Sequence, residues 1–331
     1  MPAATRAAGA DFEEPVMAMP PEIDHAVVAA LFQFRMATAE QLRVLHTPEA
    51  GPEQMRRRLR RLKDEGLVED VVLPQAGRPR AWFPTGHAAR IAATFPELEG
   101  VASPPPPGDK SAARLRLGHI LAVVRTHVAF VAGARAAEDE CAPLDFLPEV
   151  YHRYGAGPAG AVIPDGLLHY GRTAADGRTP HRAFVEVDRG TMASEKPASK
   201  LIGYARFHDH HPIPAHLRRT SHAQGVLPAR QQHYVVFLRL LFVLTGTGQA
   251  GFANRANDLE IATRTPYVAR MLRTVAAGVA ELEDLEADGA GADLWWSIAD
   301  LDDGPAPWWE LTGTATHSLM ARPGLLGRAS R

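Results

Sequence analysis

Residues 234–244 form the apolar segment that most constrains the fold of this chain. The run Tyr-Val-Val-Phe-Leu-Arg-Leu-Leu-Phe-Val-Leu carries one charge, on Arg239. It is far shorter than the roughly 20 residues that a membrane-spanning helix needs, and its uninterrupted apolar character is typical of a strand covered on both faces. Further strand-like segments cover 144–151, 161–170, 183–187 and 294–298, with helical patterns at 111–137, 194–208, 253–263 and 275–286. This alternation predicts an α/β domain with a central mixed sheet.

Composition excludes several classes of protein. The chain has 331 residues, a net charge of −2 and one cysteine, Cys141, so neither an internal disulfide framework nor a multi-cysteine zinc finger can form. The N-terminus lacks the charged and apolar regions of a secretory signal. We therefore expect a cytoplasmic protein that does not associate with a membrane.

The first hundred residues have the order of a DNA-binding module. Helical patterns cover 24–34, 39–45 and 52–65; Thr38 can cap the second helix, and Pro52 and Gly66 are suited to the start and end of the third. Strand-like residues at 67–73 and 81–83 then flank a turn. Three helices followed by a hairpin predict a winged helix-turn-helix.

The third helix and the hairpin tip are strongly basic. Met55, Leu59 and Leu62 supply a buried stripe, and cations occupy most remaining positions. Cations that repel one another in an isolated helix become favourable beside phosphates. Two alternatives stay open: a solvated helix face, or ion pairs with acidic residues of the same chain. The predicted contacts to double-stranded DNA are Arg56, Arg57, Arg58, Arg60, Arg61, Lys63, Arg78 and Arg80.

Carboxylates mark the ends of two predicted strands in the second half. Asp165 follows Pro164, and Glu186 and Asp188 lie two residues apart, so they share one face of a strand. If the strands are adjacent, these side chains converge into a set that suits Mg²⁺ and phosphodiester chemistry. The alternative is carboxylates that simply face solvent.

Several sequence blocks resemble the actinobacterial replication-relaxation family. They are residues 162–170, 184–191, 200–204, 243–246, 254–259 and 280–289, together with Trp295. The resemblance extends over about residues 24–299. It implies a winged helix joined to a restriction-endonuclease-like core of the PD-(D/E)xK type, in proteins associated with plasmid replication control and conjugative elements.

The resemblance also assigns catalytic positions. Asp165 and Glu186 take the two acidic positions of the PD-(D/E)xK motif. Asp188 occupies the position at which that motif has a lysine. Lys200, on the next helix, is the predicted substitute, which makes Asp165, Glu186, Asp188 and Lys200 the candidate catalytic set. Glu149 is predicted as an additional ligand beside Asp165 and Glu186 for Mg²⁺.

These observations predict a chain in five parts. They are a flexible tail over 1–22, a winged helix-turn-helix over 23–98, a Pro-rich linker over 99–110, a restriction-endonuclease-like α/β domain over 111–300, and a C-terminal tail over 301–331.

Three functions are consistent with this organisation. The first is a DNA-binding regulator of replication or transfer of a plasmid or mobile element. The second is a Mg²⁺-dependent DNA endonuclease or nickase, which the absence of lysine at position 188 makes the weaker reading. The third is an adaptor that recruits replication proteins. Homodimerisation, common among readers of symmetric DNA sites, stays open.

Overall fold

The structure is a computed structural model, and it describes residues 22–73, 77–101, 110–155, 157, 160–191, 197–211 and 228–314. The predicted N-terminal tail (apart from Glu22), most of the predicted linker and residues 315–331 therefore lie outside the described residues.

Among the described residues, the N-terminal segment consists of four α-helices and a small sheet. The helices are α1 (Glu22–Phe34), α2 (Ala39–His46) and α3 (Pro52–Asp64), and a further helix, α4 (Gly86–Ala92), follows the sheet. The strands are β1 (Ala37–Thr38), β2 (Val68–Val72) and β3 (Arg80–Pro84), in the order β1-β3-β2 and all antiparallel. The sequence predicted the hairpin β2–β3 but not β1, which is only two residues long.

Local sequence signals explain where these helices begin. The Thr38 hydroxyl accepts a hydrogen bond from the Gln41 amide at 3.2 Å, and the Gln41 side chain accepts one from the Thr38 amide at 2.8 Å, which completes a capping box. Pro52 begins α3, where its missing N–H costs nothing. The predicted cap and the predicted start of the third helix are both confirmed.

A mixed seven-stranded sheet, as predicted, forms the centre of the rest of the chain. Its strands lie in the order β12-β11-β10-β9-β8-β7-β4. Strand β9 pairs in parallel with β8 and β10, and the other neighbours are antiparallel. The strands are β4 (Phe146–Pro148), β7 (Gly166–Ala174), β8 (Gly177–Asp188), β9 (Arg239–Leu244), β10 (Ala277–Glu281), β11 (Trp295–Ser297) and β12 (Pro305–Ala306), with a separate pair, β5 (His152–Arg153) and β6 (Ala161–Val162).

Helices cover both faces of this sheet. One face packs against α5 (Lys110–Ala136) and α9 (Leu282–Asp288), and the other against α6 (Pro197–Asp209), α7 (Gly248–Thr263) and α8 (Pro266–Leu272). Because side chains alternate along a strand, Val185 and Val187 of β8 join the α5 side of the core, and Phe184 joins the α6 side.

Helix α5 is long and apolar. Its segment Leu117–Ala136 has a mean hydropathy of 1.5, which by length and composition would allow it to cross a membrane. In this structure 56% of that segment is buried inside the protein, and Val124, Phe130 and Val131 are completely covered. These are properties of a core helix.

Three sequence predictions about the sheet are wrong. Residues 277–281, predicted as part of a helix over 275–286, form strand β10 beside β9, and helix α9 begins only at Leu282. The strand predicted over 234–244 begins only at Arg239, where pairing with Ala183 of β8 starts. Upstream of that point Val235 and Val236 are 94% and 74% exposed. Residues 301–314, predicted as part of a tail, contribute β12 and the buried side chains of Trp308 and Leu311. The Trp308 ring packs edge-on against Phe130 and Tyr170.

The N-terminal helices share a hydrophobic core with α5 and the sheet. Leu31 and Phe34 of α1 belong to the same buried cluster as Phe130 of α5 and Phe146 of β4. Polar contacts also cross this junction. The Gln33 amide donates to the carbonyls of Leu144 at 3.1 Å and Phe146 at 2.9 Å.

We predict that Gln33→Ala lowers the free energy of unfolding by about 1–3 kcal/mol, because two carbonyls at the junction lose their donor. Denaturant unfolding measures this loss. The matched control is Gln54→Ala, at an exposed position of α3, which should change stability by less than about 0.5 kcal/mol. Equal effects of the two substitutions would contradict a structural role for the Gln33 bonds.

Candidate functional site

The two predicted acidic residues and the predicted lysine converge. Asp165 directly precedes β7, Glu186 lies on β8, and Lys200 is in the first turn of α6. The Lys200 ammonium lies 3.1 Å from Asp165 Oδ1 and donates a short hydrogen bond to Glu186 Oε2. We refer to Asp165, Glu186 and Lys200 as the acid–lysine cluster.

Three further groups fix the carboxylates of this cluster. The Tyr204 hydroxyl, one turn beyond Lys200 on α6, donates to Glu186 Oε1 at 2.5 Å. The Val187 amide donates to Asp165 Oδ2 at 2.8 Å, and His119 Nε2 lies 3.1 Å from Asp165 Oδ1. The cluster thus joins β7, β8, α6 and α5 in one hydrogen-bonded unit.

Burial and charge shift the proton affinities of the cluster in opposite directions. Burial raises the pKa of Glu186 to about 8, although the neighbouring Lys200 ammonium opposes the rise. Burial would also raise the pKa of Asp165, but hydrogen bonding from His119, the charge of Lys200 and the Val187 amide lower it to about 2. The two carboxylates hold the pKa of Lys200 above its usual value despite its burial. One carboxyl is therefore ionised and the other protonated near neutral pH.

Asp188 occupies a different position from the cluster. It lies on the same face of β8 as Glu186, two residues on, and pairs with the Arg255 guanidinium from α7. Its Oδ1 also accepts from the Gly190 amide at 3.0 Å. Glu186 therefore pairs with Lys200, whereas Asp188 pairs with a different cation, Arg255.

Glu149 does not join Asp165 and Glu186. It pairs with Arg35 at the end of α1, and it shares only the lining of a small cavity of about 30 Å³ with Asp165 and His119. Arg35 and Glu149 both have positive φ angles, 68° and 52°, which non-glycine residues rarely adopt. Within the described part of the chain, no three His, Cys, Asp or Glu side chains come together as a metal site, so the three predicted Mg²⁺ ligands do not form one set. Lys200 Nζ is the cation that Asp165 and Glu186 contact.

Two of the predicted DNA contacts form ion pairs with a buried carboxylate of the protein itself. Arg58 and Arg61 both donate to the carboxylate of Asp24 on α1, whose side chain is only 2% exposed. Losing both arginines would leave a buried, uncompensated charge, which is strongly destabilising. Arg58 and Arg61 therefore connect α3 to α1, as in the alternative of ion pairs within the chain that the sequence left open.

The remaining cations mostly lie along one groove. Arg56, Arg60 and Lys63 are spaced by four and three residues, which places them on one face of α3. With Arg78 and Arg80 from the hairpin, they line a groove of about 680 Å³ whose far wall includes Thr38 and Glu40 at the start of α2. We call this the basic groove. Arg57 is exposed on α3 but does not line it.

Ion pairs within the basic groove are of two kinds. Arg56 and Arg60 contact Glu53 at 3.5 and 3.0 Å, and all three side chains are more than half exposed. Such pairs contribute about 0–1 kcal/mol, so both guanidinium groups can exchange Glu53 for another anion. Lys63 and Arg80 instead contact Asp70, whose carboxylate is 3% exposed; burial alone would raise its pKa, but hydrogen bonds from these two cations lower it.

Sequence reasoning assigned no role to His119 or Arg255. Tyr204 packs in the core, and its hydroxyl also donates a hydrogen bond to Glu186. Arg255 lies in the block 254–259 that carried part of the family resemblance, which is the one signal that could have indicated it. Nothing in the sequence around His119 indicates that α5 approaches Asp165.

Comparison of the sequence with known protein families shows to which family this chain belongs. The family described as replication-relaxation matches residues 29–216, more than half of the chain. The chain belongs to the replication-relaxation family. The matched range contains both the acid–lysine cluster and the basic groove, whereas Arg255 lies beyond it. No curated protein and no solved structure matches the chain.

We predict that Glu186 makes stability depend on pH in a defined direction. Its pKa rises from 4.5 to about 8 on folding, so folding favours its protonated form; that contribution is complete below about pH 4.5 and is lost as the pH rises through 8. Glu186→Gln should therefore gain stability relative to the unsubstituted protein across this range, as measured by denaturant unfolding at several pH values. Glu69→Gln, at an exposed position of β2, is the control. Parallel pH curves for the unsubstituted protein and Glu186→Gln would contradict the shift.

Proposed function

We propose that this member of the replication-relaxation family is a DNA-binding protein that regulates replication or transfer of a plasmid or mobile element. The basic groove is the observation that supports the proposal best. Five cations from a helix and a hairpin face one cleft, and the acidic groups that line it are Glu40 and Asp70. Asp70 is neutralised by Lys63 and Arg80, and Glu40 pairs with Arg43.

The order of elements supports a particular docking geometry. A capped α2, a basic α3 and the hairpin β2–β3 follow the winged helix-turn-helix layout, in which one helix enters the major groove and the hairpin contacts the backbone. Arg56 and Arg60 are the groove cations whose anions are most easily exchanged, because Glu53 is exposed. Arg58 and Arg61 contribute by holding α3 in place.

We propose an endonuclease or nickase as the second candidate function, because the acid–lysine cluster gathers Asp165, Glu186 and Lys200. In this reading the core is of the restriction-endonuclease type, and Lys200 supplies from a helix the cation that Asp188 does not supply from the strand. The ammonium would balance negative charge that develops on a phosphodiester. Mg²⁺, if the reaction uses it, would have to share Asp165 and Glu186 with this ammonium.

We predict that Arg56→Ala/Arg60→Ala weakens binding to duplex DNA and lowers the slope of log affinity against log salt by about 2, because each lost phosphate contact removes about 0.9 from the slope. Fluorescence anisotropy over a salt series measures both quantities. The matched control is Arg264→Ala/Arg273→Ala, which removes two exposed cations, one directly after α7 and one directly after α8. An unchanged slope in the groove variant, or an equal change in the control, would rule out the basic groove as the DNA contact.

The endonuclease reading predicts that the purified protein, with Mg²⁺ or Mn²⁺, converts supercoiled plasmid to open-circular or linear DNA, and that EDTA prevents this. Asp165→Asn should abolish the conversion, because it removes one charge while keeping an acceptor for the Val187 amide. Asp258→Ala, at an exposed position of α7, is the control. If neither metal produces cleavage while DNA binding persists, the regulator remains and the endonuclease is excluded.

A further inference from the structure

Arg189 is a partly buried cation that forms no ion pair with any described residue. It directly follows β8, and the neighbouring carboxylate of Asp188 is engaged by Arg255. A guanidinium that no described carboxylate engages keeps its hydrogen-bond donors available. Arg189 can therefore bind an anion that the described residues do not supply.

The position of the Arg189 guanidinium is defined by a glycine. The group lies directly over Gly118 of α5: a Cβ atom at position 118 would be 2.5 Å from Nη1, 2.6 Å from Cζ and 2.7 Å from Nη2. A side chain at this position would require the guanidinium, which is the far end of a flexible side chain, to shift. Gly118 thus reserves the space that the planar group occupies, although glycine weakens a helix interior by about 1 kcal/mol relative to alanine.

The same turn of α5 connects Arg189 to the acid–lysine cluster. His119, the next residue after Gly118, contacts Asp165 at 3.1 Å, and Asp165 contacts Lys200 at the same distance. Two consecutive residues of α5 therefore contact Arg189 and Asp165.

Charges around this turn favour an anion. Near neutral pH the cluster contains one ionised carboxylate, Asp165, and one ammonium, Lys200, while Glu186 is protonated. These charges cancel, and Arg189 adds a positive charge that no described carboxylate compensates. A guanidinium suits the oxygens of a phosphate group because its N–H donors form a planar fork.

We propose that Arg189, seated on Gly118, binds a backbone phosphate of nucleic acid beside the acid–lysine cluster. This site is separate from the basic groove and would give the sheet domain its own contact with the DNA. The inference rests on the proposed DNA-binding function. It does not require cleavage, because a phosphate contact serves a regulator as well as a nuclease.

The test compares Arg189→Ala, Arg189→Lys and Gly118→Ala in the full chain, with a mixed-sequence duplex several helical turns long as the probe. Arg189→Ala should lower the slope of log affinity against log salt by about 1, in addition to the effect of the basic-groove variant. Arg189→Lys should keep the slope but bind less tightly, because a point charge replaces the fork. Gly118→Ala should weaken binding although residue 189 is unchanged.

Unfolding measurements separate this role from a structural one. Arg189→Ala should leave the free energy of unfolding unchanged, and Gly118→Ala should leave it unchanged or raise it. If Arg189→Ala and Gly118→Ala bind as the unsubstituted protein does while Arg56→Ala/Arg60→Ala is weakened, the phosphate site is refuted and the proposed function stands. If the unsubstituted protein does not bind the duplex, both proposals fail. Loss of stability in Arg189→Ala would likewise overturn the inference in favour of a packing role.

Discussion

Strand β8 is the element on which the arrangement of chemical groups depends. It is hydrogen-bonded to β7 on one side and to β9 on the other, so its backbone cannot rotate and its side chains must alternate between the two faces. Glu186 and Asp188 consequently meet the helices α6 and α7, each of which supplies one cation. Arg189, one residue further, meets α5.

The same strand explains why Asp165 belongs to the cluster. Its carboxylate accepts the Val187 amide, a backbone group of β8 at the point where pairing with β7 ends. A chain slip of one residue in β8 would exchange the two faces and separate Glu186 from Lys200. The cluster is therefore as well fixed as the register of the central strands.

Sequence reasoning predicted those helices whose limits depend on neighbouring residues. The helices of the first segment, the cap at Thr38 and the long α5 follow from capping chemistry and apolar periodicity. The convergence of Asp165, Glu186 and Lys200 was also anticipated, through the resemblance to a family rather than through spacing alone. The mixed sheet followed from the alternation of strands and helices.

The sequence did not indicate contacts between distant segments. Asp24 has no feature in the sequence that distinguishes it from other acidic residues. The packing of α1 against α3 buries it, and its burial gives Arg58 and Arg61 a structural role. Glu149 was expected near the carboxylates, but it has a positive φ and pairs with Arg35, the residue that follows α1. The strand predicted to begin at 234 starts at 239, because hydrophobicity alone does not specify where a partner strand begins.

The core shared by α1 and α5 affects how the N-terminal helices and the sheet could contact the same DNA duplex. Because Leu31, Phe34 and Phe130 pack in a single apolar cluster, the N-terminal helices are not free to swing relative to the sheet. If one duplex makes both proposed contacts, the phosphate at Arg189 would lie at a constant rotational phase relative to α3. Since the double helix repeats about every 10.5 base pairs, inserting half a turn between the two points of contact would move the second phosphate to the opposite side of the DNA.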